Sequence, residues 1–574
     1  MKRSKIVETV TAAFLVASLV SVPGAAARLV SDADVCLQPF HQHRDVSAVD
    51  SLLVSELAVL ENAFSLKEVM TKLARDSREP GIIAQDVWRE WWDTQNFGPG
   101  LGMGIHCDDN GMIEGEGVLN GFPVQCPRAE GQEIALVPFL EDNPAGPHYE
   151  LIALVNRFDM APSDGRHCGE YRAIFARMEP NSSGGGGIDP GGENGNDDGS
   201  SPPATGRNLV IFEAVVPNPS PGCGLEGCRA IAEYWEQLSS DPRLVNDPVA
   251  SGRHLRRFFL RGLANPRVPP AISLDHMTKG TGQVRTNMFL SPEPGSGVQQ
   301  IWQLRDFKLA RVCNGPGPAA SCRLQVVPVS VKGNPFGELF GEDAAGPGEL
   351  TAFQRAFVSE VRGDALMHAD VNAFGYAVDN VHNAGESNAQ GIENDYPANM
   401  PTSPRHPFLA GLRESLVGFS ATPTQAVRRA HVLSCGGCHN PPAVTLRPPV
   451  GEPEPDDGLG SGLFWEDSNG FTHVSELGFD PDIPQRSWLL SDALKRMFLP
   501  HRERVFERFL GSEPCEPCAS IVTAGNRSMS APSSTIVVGE GEPLFISSED
   551  FQALEEAEKV DDGHSTVGGS ARVH

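Results

Sequence analysis

Apolar residues recur at three- and four-residue steps through "AVDSLLVSELAVLENAFSLKEVMTKLARD" (48–76), a spacing that predicts helices. "QDVWREWWDTQN" (85–96) predicts another, with Trp88, Trp91 and Trp92 on overlapping faces, where aromatics serve core packing rather than ligand stacking. The period then shortens. "HYELIALVNRFDM" (148–160), "GEYRAIFARM" (169–178) and "NLVIFEAVVPN" (208–218) are rich in β-branched and aromatic residues and alternate in part, as strands do. The run between the last two, 179–207, holds too little apolar surface to order itself and reads as a flexible insertion at a hairpin tip. Helices are predicted again at 228–240 and 252–263, strands through 282–332, and helices from 348 to 381. Residues 511–574 are polar, acidic and Ser/Gly-rich, the composition of a loosely ordered tail. The expected fold class is α+β: an antiparallel strand-rich middle within 28–345, then a mainly helical region over 346–510.

Composition narrows where such a chain works. Lys2, Arg3 and Lys5, an apolar run from Thr11 to Val22, and Ala25-Ala26-Ala27 together read as a cleavable signal peptide over 1–27. The apolar run is short for a membrane span, and no later one is long enough, so no membrane span is expected. The expected location is periplasmic or secreted. The formal charge is −28, and without the signal peptide the chain carries 43 basic against 73 acidic residues. Such a surface repels nucleic acid and anionic membranes at long range, which argues against both as partners.

Twelve cysteines suit an oxidising compartment. Cys313 and Cys322 flank the turn-forming "NGPGPAAS" and are expected to staple a hairpin. Cys107 and Cys126 bracket a Gly-rich loop, Cys223 and Cys228 enclose "GLEG", and Cys515 and Cys518 lie close enough to bond each other. Cys36 and Cys168 would then pair by elimination, although sequence alone does not fix connectivity.

Cys435 and Cys438 stand apart, in "HVLSCGGCHNPP" (431–442). Thr422 is placed to cap the preceding helix, Pro423 suits its first turn, and Val427, Ala430 and Leu433 share a face, so the cysteines are expected at a helix end. A redox CxxC normally opens a helix, where the dipole favours thiolate. Two thiols at this spacing, with His439 directly after, instead match covalent haem attachment: the sulfurs meet the porphyrin's vinyl groups and the imidazole meets the iron. Gly436 and Gly437 permit the tight turn. A zinc site needs two further ligands at suitable spacing, and no second CxxC lies nearby. In "CEPCA", Cys518 is followed by Ala519 and is no second haem motif.

Residues 422–442 thus resemble the first helix and attachment site of a c-type cytochrome. A wider set of motifs, "WWDTQN", "LVNRFD", "CGEYRAIFA", "FEAVVPNP", "GQVRTN", "NAGESN", "LSCGGCH", "GFTHVSE" and "FLPHR", resembles an exported bacterial family of CxxCH-bearing proteins over roughly 88–510. That resemblance implies kinship without an assigned activity. By analogy with small cytochromes, the region 346–510 is expected to be cytochrome c-like, to carry one covalent haem c, and to place a distal ligand between 470 and 505. His473 ranks first, Met497 second and His501 third. Met497 shares a face with Leu494 and Phe498, which favours packing.

Other groupings carry less. His167 and Glu170, with Arg157 and Asp159, read as a structural polar cluster holding a buried Arg–Asp pair. His368 and His382 lie too far apart on a helix to share a metal. Gly184 to Asp189 matches the start of a calcium-binding repeat, but a single copy has no neighbour to complete the shell. No HExxH, GxSxG or phosphate-binding glycine loop occurs. The functions weighed are a monohaem electron carrier with a redox partner protein, a secreted disulfide-stabilised binding or structural protein without haem, and a haem-dependent oxidase or peroxidase. The familiar dihaem peroxidases need a second CxxCH that this chain lacks, which lowers the third.

Overall fold

The computed structural model describes residues 46–561 apart from 103, 179–206, 279–281, 290–301, 316–319, 345, 347, 390, 392–393, 440–457, 467, 469–472, 484, 513–534 and 539–543. The signal-peptide segment, Cys36, Cys515, Cys518 and Gly184 to Asp189 all fall outside the described residues.

In chain order the strands used below are β1 (Leu53–Val54), β2 (His148–Arg157), β3 (His167–Met178), β4 (Arg207–Pro217), β5 (Gln283–Phe289), β6 (Gln303–Cys313), β7 (Cys322–Val329), β8 (Ser387–Asn388), β9 (Val474–Phe479), β10 (Trp488–Leu490) and β11 (Thr535–Val537). The helices are α1 (Leu66–Ser77), α2 (Ala84–Asp93), α3 (Arg229–Ser240), α4 (Pro248–Leu260), α5 (Ala352–Arg362), α6 (Pro407–Ser415), α7 (Pro423–Leu433), α8 (Cys435–His439), α9 (Leu499–Gly511) and α10 (Ser548–Asp561). The chain is α+β, as its patterning predicts.

A nine-stranded sheet dominates, in the order β1-β2-β3-β4-β5-β6-β7, with β8 and β11 added to the two ends of β6. The pairs are antiparallel except β6 with β11. Successive side chains of a strand point to opposite faces, so the register sorts the sheet into two chemistries. Ala173, Phe212, Val284 and Phe307 stand in one row across β3 to β6. Trp91 of α2 packs edge-on against Phe212 and Phe307, with ring centres 6.1 and 5.7 Å away. Farther along the same face Tyr171 meets Trp235 of α3 and Phe258 of α4. The helices rich in aromatics therefore cover this face, and all three tryptophans of α2 are core residues.

The opposite face carries a staggered row of charges. Arg172 pairs in register with Glu213, and Arg285 with Asp306. Ion pairs link Arg172 to Glu213 at 3.3 Å, Glu213 to Arg285 at 3.2 Å and Arg285 to Asp306 at 2.8 Å. Glu170 adds a second partner for Arg172. The C-terminal half covers this face. α8 lies against β6 and β8, and Arg207 of β4 forms an ion pair with Glu476 of β9 at 2.8 Å. The β9–β10 hairpin also bonds the chain near β1, through Trp488 N–H to the Ser55 carbonyl. One apolar core accordingly runs from Val46 to Leu510 across residue 345.

Several expectations change. The helical pattern of 48–76 is interrupted by β1, because Leu53 and Val54 pair with Val155 and Leu154 at the sheet edge. Residues 348–381 form one helix, α5, followed by turns and single 3-10 turns. Region 346–510 draws most of its regular structure from helices, and it also contributes β8 to the sheet and forms the β9–β10 hairpin. Cys168 bonds Cys228, which replaces both Cys223–Cys228 and Cys36–Cys168; Cys223 is itself disulfide-bonded. Cys107–Cys126 and Cys313–Cys322 form as expected.

The tail over 511–574 is not wholly loose. "TIV" at 535–537 supplies β-branched residues for β11, and Ile546 and Phe551 are buried with Ile105, Val312, Val327 and Val329. Gln325 exchanges two side-chain hydrogen bonds with the Ile546 backbone. Truncating Phe551 to Ala should remove about 3 kcal/mol of stability, measured by urea unfolding of the full chain; an unchanged midpoint would mean the tail does not dock.

Candidate functional site

The cysteine motif is built by one serine. α7 opens with a reciprocal cap, in which Thr422 Oγ1 accepts from Gln425 N–H and Gln425 Oε1 accepts from Thr422 N–H. It ends at Leu433, where Ser434 adopts extended dihedrals. Ser434 Oγ donates to the His431 carbonyl at 2.8 Å and accepts from Gly437 N–H at 2.9 Å. It thus closes α7 and caps α8 at once. The cysteines therefore open a new short helix rather than ending the preceding one, which corrects the expectation from helix periodicity. The extended conformation of Ser434 resets the helical phase, a change that apolar spacing does not record.

α8 has no room for larger residues. A Cβ on Gly437 would lie 1.9 Å from the His431 carbonyl oxygen, and one on Gly436 would lie 2.8 Å from the Asn388 carbonyl oxygen. Gly436 N–H also donates to Ser387 Oγ at 2.8 Å, tying α8 to the sheet through β8.

Cys435 and Cys438 are both buried, and both are reduced thiols. Cys435 packs with Trp302, Leu304, Val331 and Ala389, whereas Cys438 belongs to the main core. Burial pushes the Cys435 thiol up to about 12, against the opposing pull of Arg285. It is a neutral thiol despite opening a helix, the opposite of what a dithiol redox catalyst needs.

His439 is buried, with its ring stacked on Trp302 at 4.0 Å. His473 comes to it from the strand side of the motif: the two ring centres are 5.3 Å apart and inclined by 69°. Cys438 Sγ lies 3.6 Å from His473 Nε2. Burial, reinforced by Arg502, Arg172 and Arg157, pushes His473 down to about 3. The ring is then neutral at physiological pH, which suits a metal ligand and not a base drawing a proton from Cys438.

The other distal candidates sit elsewhere. Met497 is buried in the main core, on a wide π-type turn over Ala493–Phe498 that leads into α9 and accommodates Pro500. His501 faces Asp370 at 3.8 Å and lines a cavity. Of the three, His473 is the one brought against His439.

The donor set fits a haem of the covalent type: two reduced thiols at the attachment spacing, an adjoining imidazole, and a second imidazole facing it. Among the described residues no cluster of three or more His, Cys, Asp or Glu is arranged to hold a bare metal ion. No helix among them is long and apolar enough to cross a membrane.

The polar cluster near 157–170 divides in two. Arg157 holds Asp159 through Nε and Nη2, both at 3.0 Å, beside the cavity. Glu170 joins the charged row of the sheet. His167 Nδ1 accepts from Gly169 N–H, and burial pushes its pKa down to about 4. His368 accepts from the Asp370 backbone, His382 packs on Phe353, and Glu386 pairs with Arg128. Three features of this region escape sequence reasoning: the bonds of Ser434, the stacking of Trp302, and the cavity lined in part by Arg157 and Arg502. Only Ser434 leaves a trace, as a capping residue directly before the motif.

Comparison with family models, with curated proteins and with solved structures found no match.

Two outcomes follow from this geometry. Gly437→Ala should cost at least about 2 kcal/mol in thermal or urea unfolding, with the mild Ser387→Ala change costing less; equal stability of G437A and wild type would contradict the close packing of α7 on α8. His167 is depressed in the folded state, so the unfolded chain takes up its proton first as pH falls. Its contribution is complete above about 6.5 and is lost towards 4. His167→Gln should flatten that acid limb by about 1–3 kcal/mol, read from urea midpoints at pH 4 and 7.

Proposed function

We propose that the chain is an exported monohaem c-type cytochrome-like protein that transfers electrons to or from a partner protein. The single observation carrying this is the pair of reduced, buried thiols of Cys435 and Cys438, followed by His439 with His473 against its ring, while the other described cysteines are disulfide-bonded. The cysteines would hold the porphyrin through two thioethers, and His439, with His473 as the candidate second imidazole, would hold its iron. The group supplies a reversible one-electron iron couple, tuned by ligand type, burial and nearby charge.

The chain's own residues provide the rest. Trp302 fixes the plane of His439 by stacking, Ser434 and Ser387 hold α8 in place, and the buried surroundings exclude water. Neutral His473 is ready to ligate without first losing a proton. A dithiol redox role is disfavoured by the raised Cys435 thiol, and nucleophilic catalysis by the weak basicity of His473. The disulfides agree with an oxidising location outside the cytoplasm.

Expression with bacterial haem-maturation machinery should give a full chain that keeps haem stain on a denaturing gel and gains the mass of one haem. Cys435→Ser combined with Cys438→Ser should abolish both signals. A wild-type mass equal to the bare polypeptide would overturn the proposal. In the loaded protein, His473→Ala should convert a low-spin spectrum to one whose reduced form binds carbon monoxide; an unchanged low-spin spectrum would remove His473 as the distal ligand.

A further inference from the structure

Residues 330–334, directly after β7, run beside the cysteine motif. Val331 N–H donates to the Ala384 carbonyl at 2.8 Å, and its side chain packs with Cys435 and Trp302. The Gly333 carbonyl accepts from Tyr376 Oη at 3.2 Å. Asn334 Oδ1 accepts from Ser387 Oγ at 2.8 Å, and Ser387 Oγ accepts in turn from Gly436 N–H of α8 at 2.8 Å. Lys332 lies between these anchors, so contacts leading to α8 fix its place from both sides. Its side chain is half-buried.

The charged groups around the Lys332 amine come from three strands: His167 and Glu170 from β3, Glu213 from β4, and Asp306 with Lys308 from β6. Arg172 and Arg285 belong to the same row and are held by its carboxylates. Lys308 Nζ also donates to the Gly282 carbonyl at 2.6 Å. Enclosure away from water, with repulsion from Lys308, pushes Lys332 down to about 7, although the three carboxylates oppose the shift. Burial pushes its neighbours away from neutrality: His167 to about 4, His473 to about 3, and the Cys435 thiol up to about 12. The row that surrounds Lys332 also acts on Cys435 and, through Arg172, on His473.

We propose that Lys332 is the proton-exchanging residue of the cysteine site, taking a proton from water when the site gains an electron and returning it when the electron leaves. The proposal rests on the haem reading given above. The electron comes from the redox partner and goes back to it, so each negative charge entering the site is answered by a positive one on Lys332 Nζ. Charges interact far more strongly in a poorly polarisable interior than in water, which carries the coupling across the row. A group poised near its own pKa changes protonation for the smallest change in local field.

The test has two arms. In the haem-bearing chain the reduction potential should fall as pH rises through about 7, because a charged Lys332 favours the reduced state. Lys332→Met should hold the low, alkaline value at every pH, and Lys332→Arg the high, acid value, because a guanidinium stays charged. A lysine with a purely structural role would not separate the two variants in this way. In the chain made without haem-maturation machinery, folding displaces the proton that Lys332 carries when unfolded. Stability, read from urea midpoints, should therefore rise with pH from about 7 towards 10.5, and Lys332→Met should lose most of that rise. A wild-type potential independent of pH, or an undiminished fall in K332M, overturns the proposal and leaves the haem reading standing. An undiminished rise of stability in K332M also overturns it. Failure of haem to attach is a separate result, which removes the haem reading and this proposal together.

Discussion

The row of charges across β3 to β6 constrains the rest of the molecule. Arg172, Glu213, Arg285 and Asp306 alternate in sign across four adjacent strands and are almost wholly enclosed. Left in water such pairs would contribute little. Enclosed, they are tolerated only when each charge has its partner, because a missing one strands the others in a poorly solvating interior. The C-terminal half must therefore cover this face without breaking the row. It does so with an uncharged element, α8, whose Cys435 sits within the field of the row and stays a neutral thiol. The cysteine motif and the sheet are consequently parts of one packing solution, and the core continues through both.

How much of this is visible in the sequence depends on the kind of signal. The strands β2 to β7 are legible because β-branched and aromatic residues cluster there between turn-forming segments. The tryptophans of α2 are legible as core because their spacing places them on overlapping faces. Arg172, Glu213, Arg285 and Asp306 give no such signal: a charge on a strand reads as solvent-facing until register places an opposite charge beside it. Cys168–Cys228 is hidden for a similar reason, since proximity along the chain favours Cys223 as the partner of Cys228. The strand β11 is hidden because three β-branched residues in a polar surrounding carry too little pattern on their own.

The candidate site shows the same division. Cys435, Cys438 and His439 announce themselves by spacing, whereas the sequence ranks His473 ahead of Met497, which shares a face with Leu494 and Phe498, and ahead of His501. The ring contact with His439 gives that preference a geometric basis. The helix reset at Ser434 has no counterpart in the spacing of apolar residues. It depends on what lies opposite in space, a carbonyl of the preceding turn. Local patterning reports faces and turns; it does not report a cavity assembled from five separate segments.

The parallel pairing of β11 with β6 bears on how the molecule comes to be made. Arg311 and Thr535 meet although 224 positions separate them, and Gln325 meets Ile546 across 221. Contacts of that range require a large entropy loss before they return any stability, so they form late and slowly. A chain emerging from the ribosome, or threading through a membrane pore, reaches the end of β6 long before its last strand exists. The edge of that strand and the apolar patch around Val327 stay open during the interval, a hazard for association with other nascent copies. Completion of the sheet is thereby reserved for the finished polypeptide.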